Sequence, residues 1–287
     1  MFTKRSKNGV IYYTSPLFDS LKITHMFATR FGGVSAGAFD SLNVSTSRKD
    51  ENGNTDSLVN VEENYRRALA VLGATPEKSC GTKQVHEDNV LVTDGSFAGR
   101  GILASLPEMP GCDGVIAKKD GGIDALCVKT ADCVPILMKN IKTGDICAVH
   151  AGWRGTASDI VTKAAEKLSC RNMDDVVAAI GPCIGRCCYE IGGEVYSRFE
   201  MLFKYKDKNY DMSTLFTTLP SCSMGGSTYL DLSRANSELL RIAGIKNENI
   251  DVSGICTCCY SENFVYPFFS HRASGGFSGT FVSAIAF

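Results

Sequence analysis

Tryptophan occurs once and histidine four times in the 287 residues. No apolar run approaches the roughly 20 residues that a membrane-spanning helix needs, so a helical span is not expected. The N-terminus, MFTKRSKNGVIYYTSPLF, carries charge but no sustained apolar core, which argues against a secretory signal. Net charge is scarce as well: 30 basic and 31 acidic residues are interspersed and leave −1. Without a basic run or a basic–aromatic stripe, no nucleic-acid polymer is expected as a partner. Internal repeats, low-complexity tracts and a convincing linker are missing too. The abundant residue is cysteine, 13 in all and therefore odd in number. In the absence of a signal peptide these read as reduced thiols in a cytoplasmic protein, most of them small buried apolar side chains.

At 44% hydrophobic and 21% charged residues the chain can bury a substantial core. Apolar residues at helical spacing predict helices over 60–72, stopped by Gly73, and over 158–169, with Ser158 available as an N-cap. Two more are expected at 192–203 and 232–243, the latter ended by Gly244. Strand-like runs fall at 10–13, 23–28, 90–93, 113–116, 123–128, 133–138, 145–149, 176–180, 250–255 and 281–286. This mixture lacks regular βαβ alternation and indicates an α+β fold: a single layered domain, 1–287, of mixed sheets flanked by helices. Polar stretches at 46–57 and 204–228 read as surface excursions.

The segment ADCVPILMKNIKTGDICAVHAGWRG, 131–155, is the most informative. Its two apolar runs flank a Gly-containing turn and predict an antiparallel hairpin. With Met138 opposite Asp145, Cys133 falls opposite His150, where Cβ atoms on one face lie about 4.5–5.5 Å apart. A slip of a single residue would separate the two side chains onto opposite faces. His86, in Lys83-Gln84-Val85-His86, supplies a third candidate ligand. Two imidazoles and a thiolate suit a catalytic zinc with an open fourth position. The spacing matches no compact metal motif, so on spacing alone a buried cysteine with two hydrogen-bonded core histidines is the better account.

TRFGGVS at 29–35, SLN at 41–43, KQVH at 83–86, ADCVPI at 131–136, VHAGWRGT at 149–156, IGPCIGRCCYEIG at 180–192 and FFSHR at 268–272 occur in order. From about residue 25 to the C-terminus the chain thereby resembles the YfiH/YlmD-like family, once described as multicopper polyphenol oxidases or laccases. The resemblance implies zinc held by His86, Cys133 and His150. It also implies a cytoplasmic enzyme that phosphorolyses adenosine, inosine and methylthioadenosine, with adenosine deamination as a further activity. Purine nucleoside and phosphate are the implied partners. The C-terminus departs from the pattern: Ser270-His271-Arg272-Ala273 and Ser278-Gly279-Thr280 lack two positive charges common in the family. Their loss would weigh on phosphate handling more than on deamination. Glu87 also stands where the family often has Gly.

Phosphorolysis needs a cationic phosphate cradle and hydrogen bonds to base and ribose. Arg30, Arg154 and Arg272 are candidate phosphate binders, each equally explained by a structural ion pair. Asn43 and Gln84 are candidate amide partners for base or sugar, or turn and strand-cap residues. Asp132 reads as an anchor for a ligating imidazole or a structural residue, and Trp153 as a core aromatic that could stack on a purine. The Cys183/Cys187/Cys188 and Cys256/Cys258/Cys259 groups read as buried thiols, with a structural metal site as the lesser alternative. A copper oxidase is the first rival, since copper favours such nitrogen and sulfur sites. Only His25 and His271 remain for further coppers, too few for a laccase. A metal-free Cys133–His150 hydrolase and a zinc-stabilised binding module are the other rivals.

Overall fold

The computed structural model describes residues 1–170, 172–219 and 226–287. In its first half run β1 (Thr3–Lys7), β2 (Val10–Thr14), α1 (Pro16–Ser20), β3 (Thr24–Ala28), α2 (Leu58–Val71), β4 (Ser79–Cys80), β5 (Val90–Thr93), β6 (Gly114–Ala117) and β7 (Ala125–Thr130). Then come β8 (Val134–Asn140), β9 (Ile146–Ala151), α3 (Trp153–Ala157), α4 (Ile160–Ser169), β10 (Val176–Ile180), β11 (Glu190–Ile191) and α5 (Gly193–Lys206). β12 (Phe216–Leu219), β13 (Ser227–Leu230), α6 (Leu232–Ile242), β14 (Ile250–Val252) and β15 (Phe281–Ala286) complete the order.

Two six-stranded mixed sheets form the body, ordered β1-β2-β3-β15-β7-β4 and β14-β10-β8-β9-β6-β5. A small third sheet is ordered β11-β13-β12. Strand alternation assigns the layers. Ile136, Met138, Cys147 and Val149 of the second sheet pack with Ala164, Leu168, Phe199, Phe203 and Leu239 of the helices α4, α5 and α6. Leu137, Ala148 and Val177 on its opposite face meet Phe27, Leu126, Val128, Phe281 and Ile285 of the first sheet. The first sheet's outer face, including Met26, Cys127, Val282 and Ala284, is covered by Val61, Tyr65, Ala68 and Leu69 of α2. The layers thus run helix, sheet, sheet, helix. Because β8 and β9 are covered on both faces, they read as near-continuous apolar runs rather than alternating ones. Each fully buried aliphatic side chain there contributes roughly 1.5–3 kcal/mol.

Most expected elements are present with boundaries moved by a few residues. Gly73 and Gly244 follow α2 and α6 at φ of 78° and 105°, the left-handed conformation that stops a helix. Ser158 does not cap α4: it closes α3, and Asp159, left-handed at φ 62°, precedes Ile160 without a side-chain cap bond. The stretch expected as an excursion at 204–228 partly lies outside the described residues. Its described part contributes the last three residues of α5, β12, the start of β13 and the buried side chains Tyr210, Leu215 and Phe216. β1, β4, β11, β12, β13, α1 and α3 have no counterpart among the expected elements, being short or edge elements with little apolar periodicity.

The β8–β9 register differs from the counted one. Met138 faces Cys147 and Pro135 faces His150. The Asn140 side chain accepts from the Lys142 and Thr143 amides at 3.0 Å and tightens the turn, so the strands pair two residues further toward it. A two-residue shift preserves the face. Cys133, just outside β8, therefore lies diagonal to His150 on the same face rather than opposite it.

Candidate metal centre

The Nδ1 or Nε2 atoms of His86 and His150 and the Sγ of Cys133 all lie within 4.8 Å of one another. The two imidazoles meet edge to face, with centroids 4.9 Å apart. His150 comes from the end of β9, Cys133 from the bend before β8, and His86 from the loop between β4 and β5. His86 adopts φ 61°, whereas Glu87 is not among the left-handed residues, so this turn needs no glycine at 87.

One buried carboxylate organises two of the three groups. Asp113 Oδ1 lies 2.7 Å from His150 Nδ1, leaving Nε2 to face the other ligands. The same carboxylate accepts the backbone N–H of Val85, His86 and Glu87 at 3.0, 3.0 and 3.1 Å. It therefore shapes the His86 loop as well. An imidazole held by a carboxylate at its outer nitrogen is the usual support for a metal-ligating histidine. Asp132 does not serve that purpose: its oxygens accept from Thr257 Oγ1 and the Arg272 amide, both at 2.7 Å.

The electrostatics suit a thiolate ligand. Burial pushes the Cys133 thiol up, but His150 and His86 outweigh it and bring it down to about 6. Burial lowers His150, while Cys133 and Asp113 raise it to about 9. Gly152 completes the fit. A Cβ there would stand 3.3 Å from Cys133 Sγ, 3.5 Å from His86 Cδ2 and 3.6 Å from His150 Cε1. The donor set and the space kept free by Gly152 fit a zinc-sized cation with an open position.

That open side faces a cleft of about 730 Å³ lined by residues including Gln84, Trp153, Arg154, Tyr189, Arg272 and Lys129. Arg154 is exposed and stacks over Trp153, its guanidinium carbon 4.2 Å from the ring centroid. Arg272 donates to the carbonyls of Cys188 and Glu190 at 3.2 and 3.1 Å. Gln84 lines the cleft, but its amide is spent on the Lys129 backbone, at 2.8 and 3.0 Å. Arg30 and Asn43 lie elsewhere. Arg30 donates to the Asp40 carbonyl at 2.6 Å and covers the Phe269 ring at 4.6 Å. Asn43 is fully buried and binds Ser45, Asp56 and the Thr280 amide, building the loop wall behind the cleft. Arg48, 3.0 Å from His271 Nδ1, lines the cleft from the supposed surface excursion. It had no motif to mark it, and neither did Asp113, a lone carboxylate before a strand.

Residues 24–287 match the family described as multi-copper polyphenol oxidoreductase laccase. The chain belongs to that family. It is 31% identical over 266 residues to a purine nucleoside phosphorylase of Bacteroides thetaiotaomicron, covering 92% of this chain and 91% of that protein. It is 34% identical over 268 residues to purine nucleoside phosphorylase YlmD of Geobacillus stearothermophilus, covering 90% and 87%. The crystal structure of YlmD superposes with a TM-score of 0.84 over 99% of this chain and 98% of that one. Adenosine deaminase RL5, from an unknown prokaryotic organism, is 32% identical over 218 residues, 75% of this chain and 77% of the relative. The α+β layering is that of the YfiH/YlmD fold.

Proposed function

We propose that this chain is a cytoplasmic, zinc-dependent purine nucleoside enzyme. It cleaves adenosine, inosine or methylthioadenosine with phosphate to free base and the sugar 1-phosphate, and it deaminates adenosine. The observation that carries this reading is the convergence of His86, Cys133 and His150 on the floor of a cleft rich in cations. The relatives named as phosphorylases and a deaminase support the substrate class.

When bound, zinc supplies Lewis acidity at the open position. His86, Cys133 and His150 hold it, and Asp113 keeps the His150 proton on Nδ1 so that Nε2 can ligate. Arg154, whose guanidinium has no carbonyl or carboxylate partner among its described contacts, receives phosphate. Arg48 lines the same cleft, beside His271, and offsets the charges missing from the C-terminal motif. Arg272, tied to the 188 and 190 carbonyls, shapes the wall that orients substrate. Tyr189 and Trp153 offer aromatic surface for the purine. Positive charge that develops at the sugar carbon is met by the incoming phosphate, while the departing base is held by donors in the cleft.

Two rivals are addressed by the same residues. A laccase would need His25 and His271 for further coppers. His25 is buried, with Nε2 accepting from the Ser15 amide and Nδ1 against the Ile23 carbonyl, and His271 engages Arg48. Copper in the trio itself remains compatible with its donors. A metal-free Cys133–His150 nucleophile is favoured by the thiolate–imidazolium pairing described above, and stoichiometric metal at the trio overturns it.

A chromatographic product assay with adenosine, with and without phosphate, on metal-analysed protein tests the proposal. Phosphate-dependent adenine is expected, together with inosine. Inosine alone would limit the enzyme to deamination, and no product from zinc-loaded protein would overturn the substrate. His86→Ala, Cys133→Ala and His150→Ala should each abolish turnover and metal binding at the trio together. Full activity in Cys133→Ala would overturn the site.

A further inference from the structure

Cys80, Cys112, Cys127, Cys147 and Cys183 are buried singly in the core, but the cysteines of two neighbouring turns gather in one place. Gly185 to Tyr189 forms a tight turn in which the Gly185 carbonyl accepts the Cys188 and Tyr189 amides, each at 3.0 Å. Cys256 to Tyr260 forms a second, closed by the Tyr260 amide on the Cys256 carbonyl at 3.0 Å. A parallel bridge between Cys183 and Cys256 sets the turns side by side. Four sulfurs then converge: Cys187, Cys188, Cys256 and Cys259 lie with Sγ atoms within 4.8 Å of one another. Adjacent Cys187 and Cys188 share a side because they sit in a turn, whereas an extended chain would send them to opposite faces.

Three further observations distinguish this cluster from chance packing. Cys256 and Cys259 have C-x2-C spacing, one common arrangement of paired metal thiolates. Cys256 Sγ accepts the Gly185 amide at 3.2 Å. The backbone thus already stabilises a sulfur anion. Finally, a Cβ on Gly185 would stand 3.2 Å from Cys256 Cβ and 3.3 Å from Cys187 Sγ. A side chain at 185 would press the two turns apart by a few tenths of an ångström.

We infer that Cys187, Cys188, Cys256 and Cys259 form a second metal site, a four-thiolate site for one zinc ion, separate from the His86–Cys133–His150 centre. Zn–S bonds of about 2.3 Å in a tetrahedron set the sulfurs about 3.8 Å apart. Cys187 and Cys259 are already 3.5 Å apart, and the widest pairs must close by about 1 Å. Zinc displaces the thiol protons, which leave to solvent, and no oxidant or reductant is needed. Soft sulfur donors exclude magnesium and calcium. With four protein ligands the site is closed to substrate, so its role is structural. It fastens the turn that carries Tyr189 into the cleft and the Cys188 carbonyl that holds Arg272. On the other side it fastens Thr257, which donates to Asp132 next to Cys133.

The test compares the reduced full-length protein with Cys187→Ser/Cys259→Ser and with Cys133→Ala, each loaded with zinc and freed of excess. Elemental analysis should find one more zinc per chain in the wild type than in Cys187→Ser/Cys259→Ser. Equal content in well-folded proteins overturns the site. Should the double variant fail to fold, cobalt(II) in Cys133→Ala decides. The trio then has no sulfur, so intense thiolate-to-cobalt absorption must come from the four-cysteine cluster, and its absence overturns the proposal. An iron–sulfur chromophore, or a Cys187–Cys259 disulfide seen in the isolated reduced protein, would overturn it equally.

Discussion

Asp113 shows how much of the centre hangs on a residue outside it. Asp113→Asn keeps the shape of the side chain but loses the charge that fixes the His150 proton and gathers three amides. Metal affinity should fall by about 10–100-fold, measured by competition with a chelator, while His86, Cys133 and His150 stay in place. Gly152→Ala tests the same pocket sterically. Gly152 has φ −72°, which alanine adopts freely, so the only cost is the close approach to Cys133 Sγ. Metal binding should weaken with little change in melting temperature, and a large fall in melting temperature would refute this account. These residues also mark what could be read beforehand. The trio was legible because a hairpin and sequence motifs converge on it. Arg30 and Asn43 share those motifs, yet they build loops: a motif records which residues recur together, not which atoms face the cleft. Asp113 and Arg48 were illegible because a single charge in a loop has no period and no spacing to betray it.

Among the helices, α2 combines a legible apolar stripe with one polar residue whose purpose only the packing reveals. Asn64 is fully buried. It accepts the Val34 amide at 2.9 Å and donates to Ser35 Oγ at 2.8 Å and the Asn43 carbonyl at 2.7 Å. The helix therefore carries the hydrogen bonds of the 33–45 loop, which leads directly into Ser45 and Arg48 on the cleft wall. Asn64→Ala leaves several of these groups unpaired, each costing about 1–3 kcal/mol when buried. A net loss of about 3 kcal/mol is expected, roughly 5 °C in melting temperature. Calorimetry checks it, and a variant within a degree of the wild type would show that water replaces the amide. The same contrast governs the hairpin. Face could be predicted from apolar pattern, because a period of two survives a two-residue shift. The register itself depended on Asn140 capping the turn, a local polar contact that hydrophobicity does not report.

The sheet order has no local signature at all: β15, the last strand, sits between β3 and β7. Apolar pattern identifies such strands but not their partners, which come from distant parts of the chain. The N-terminal hairpin is secured in the same long-range manner. Glu262 receives hydrogen bonds from Tyr13 at 2.7 Å and Tyr260 at 2.8 Å, and it pairs with Lys4. The Lys4 and Tyr13 bonds, then desolvation that opposes them and the Tyr260 bond, bring its carboxyl from 4.5 down to about 2. A depressed folded-state value means that the unfolded chain binds the proton more readily. Stability from this group is therefore fully present above the unfolded value and is lost as pH falls from about 4.5 to about 2. Removing the charge should flatten the acid limb. Glu262→Gln is expected to melt below the wild type at neutral pH, and the difference should shrink steadily as pH drops through that window. Both ionic partners are partly exposed, so salt should reduce the neutral-pH difference as well. If the two melting curves instead run parallel with pH, Glu262 acts only through hydrogen bonds that glutamine can replace or lose regardless of charge, and the carboxylate is not what joins the first strands to the C-terminal segment.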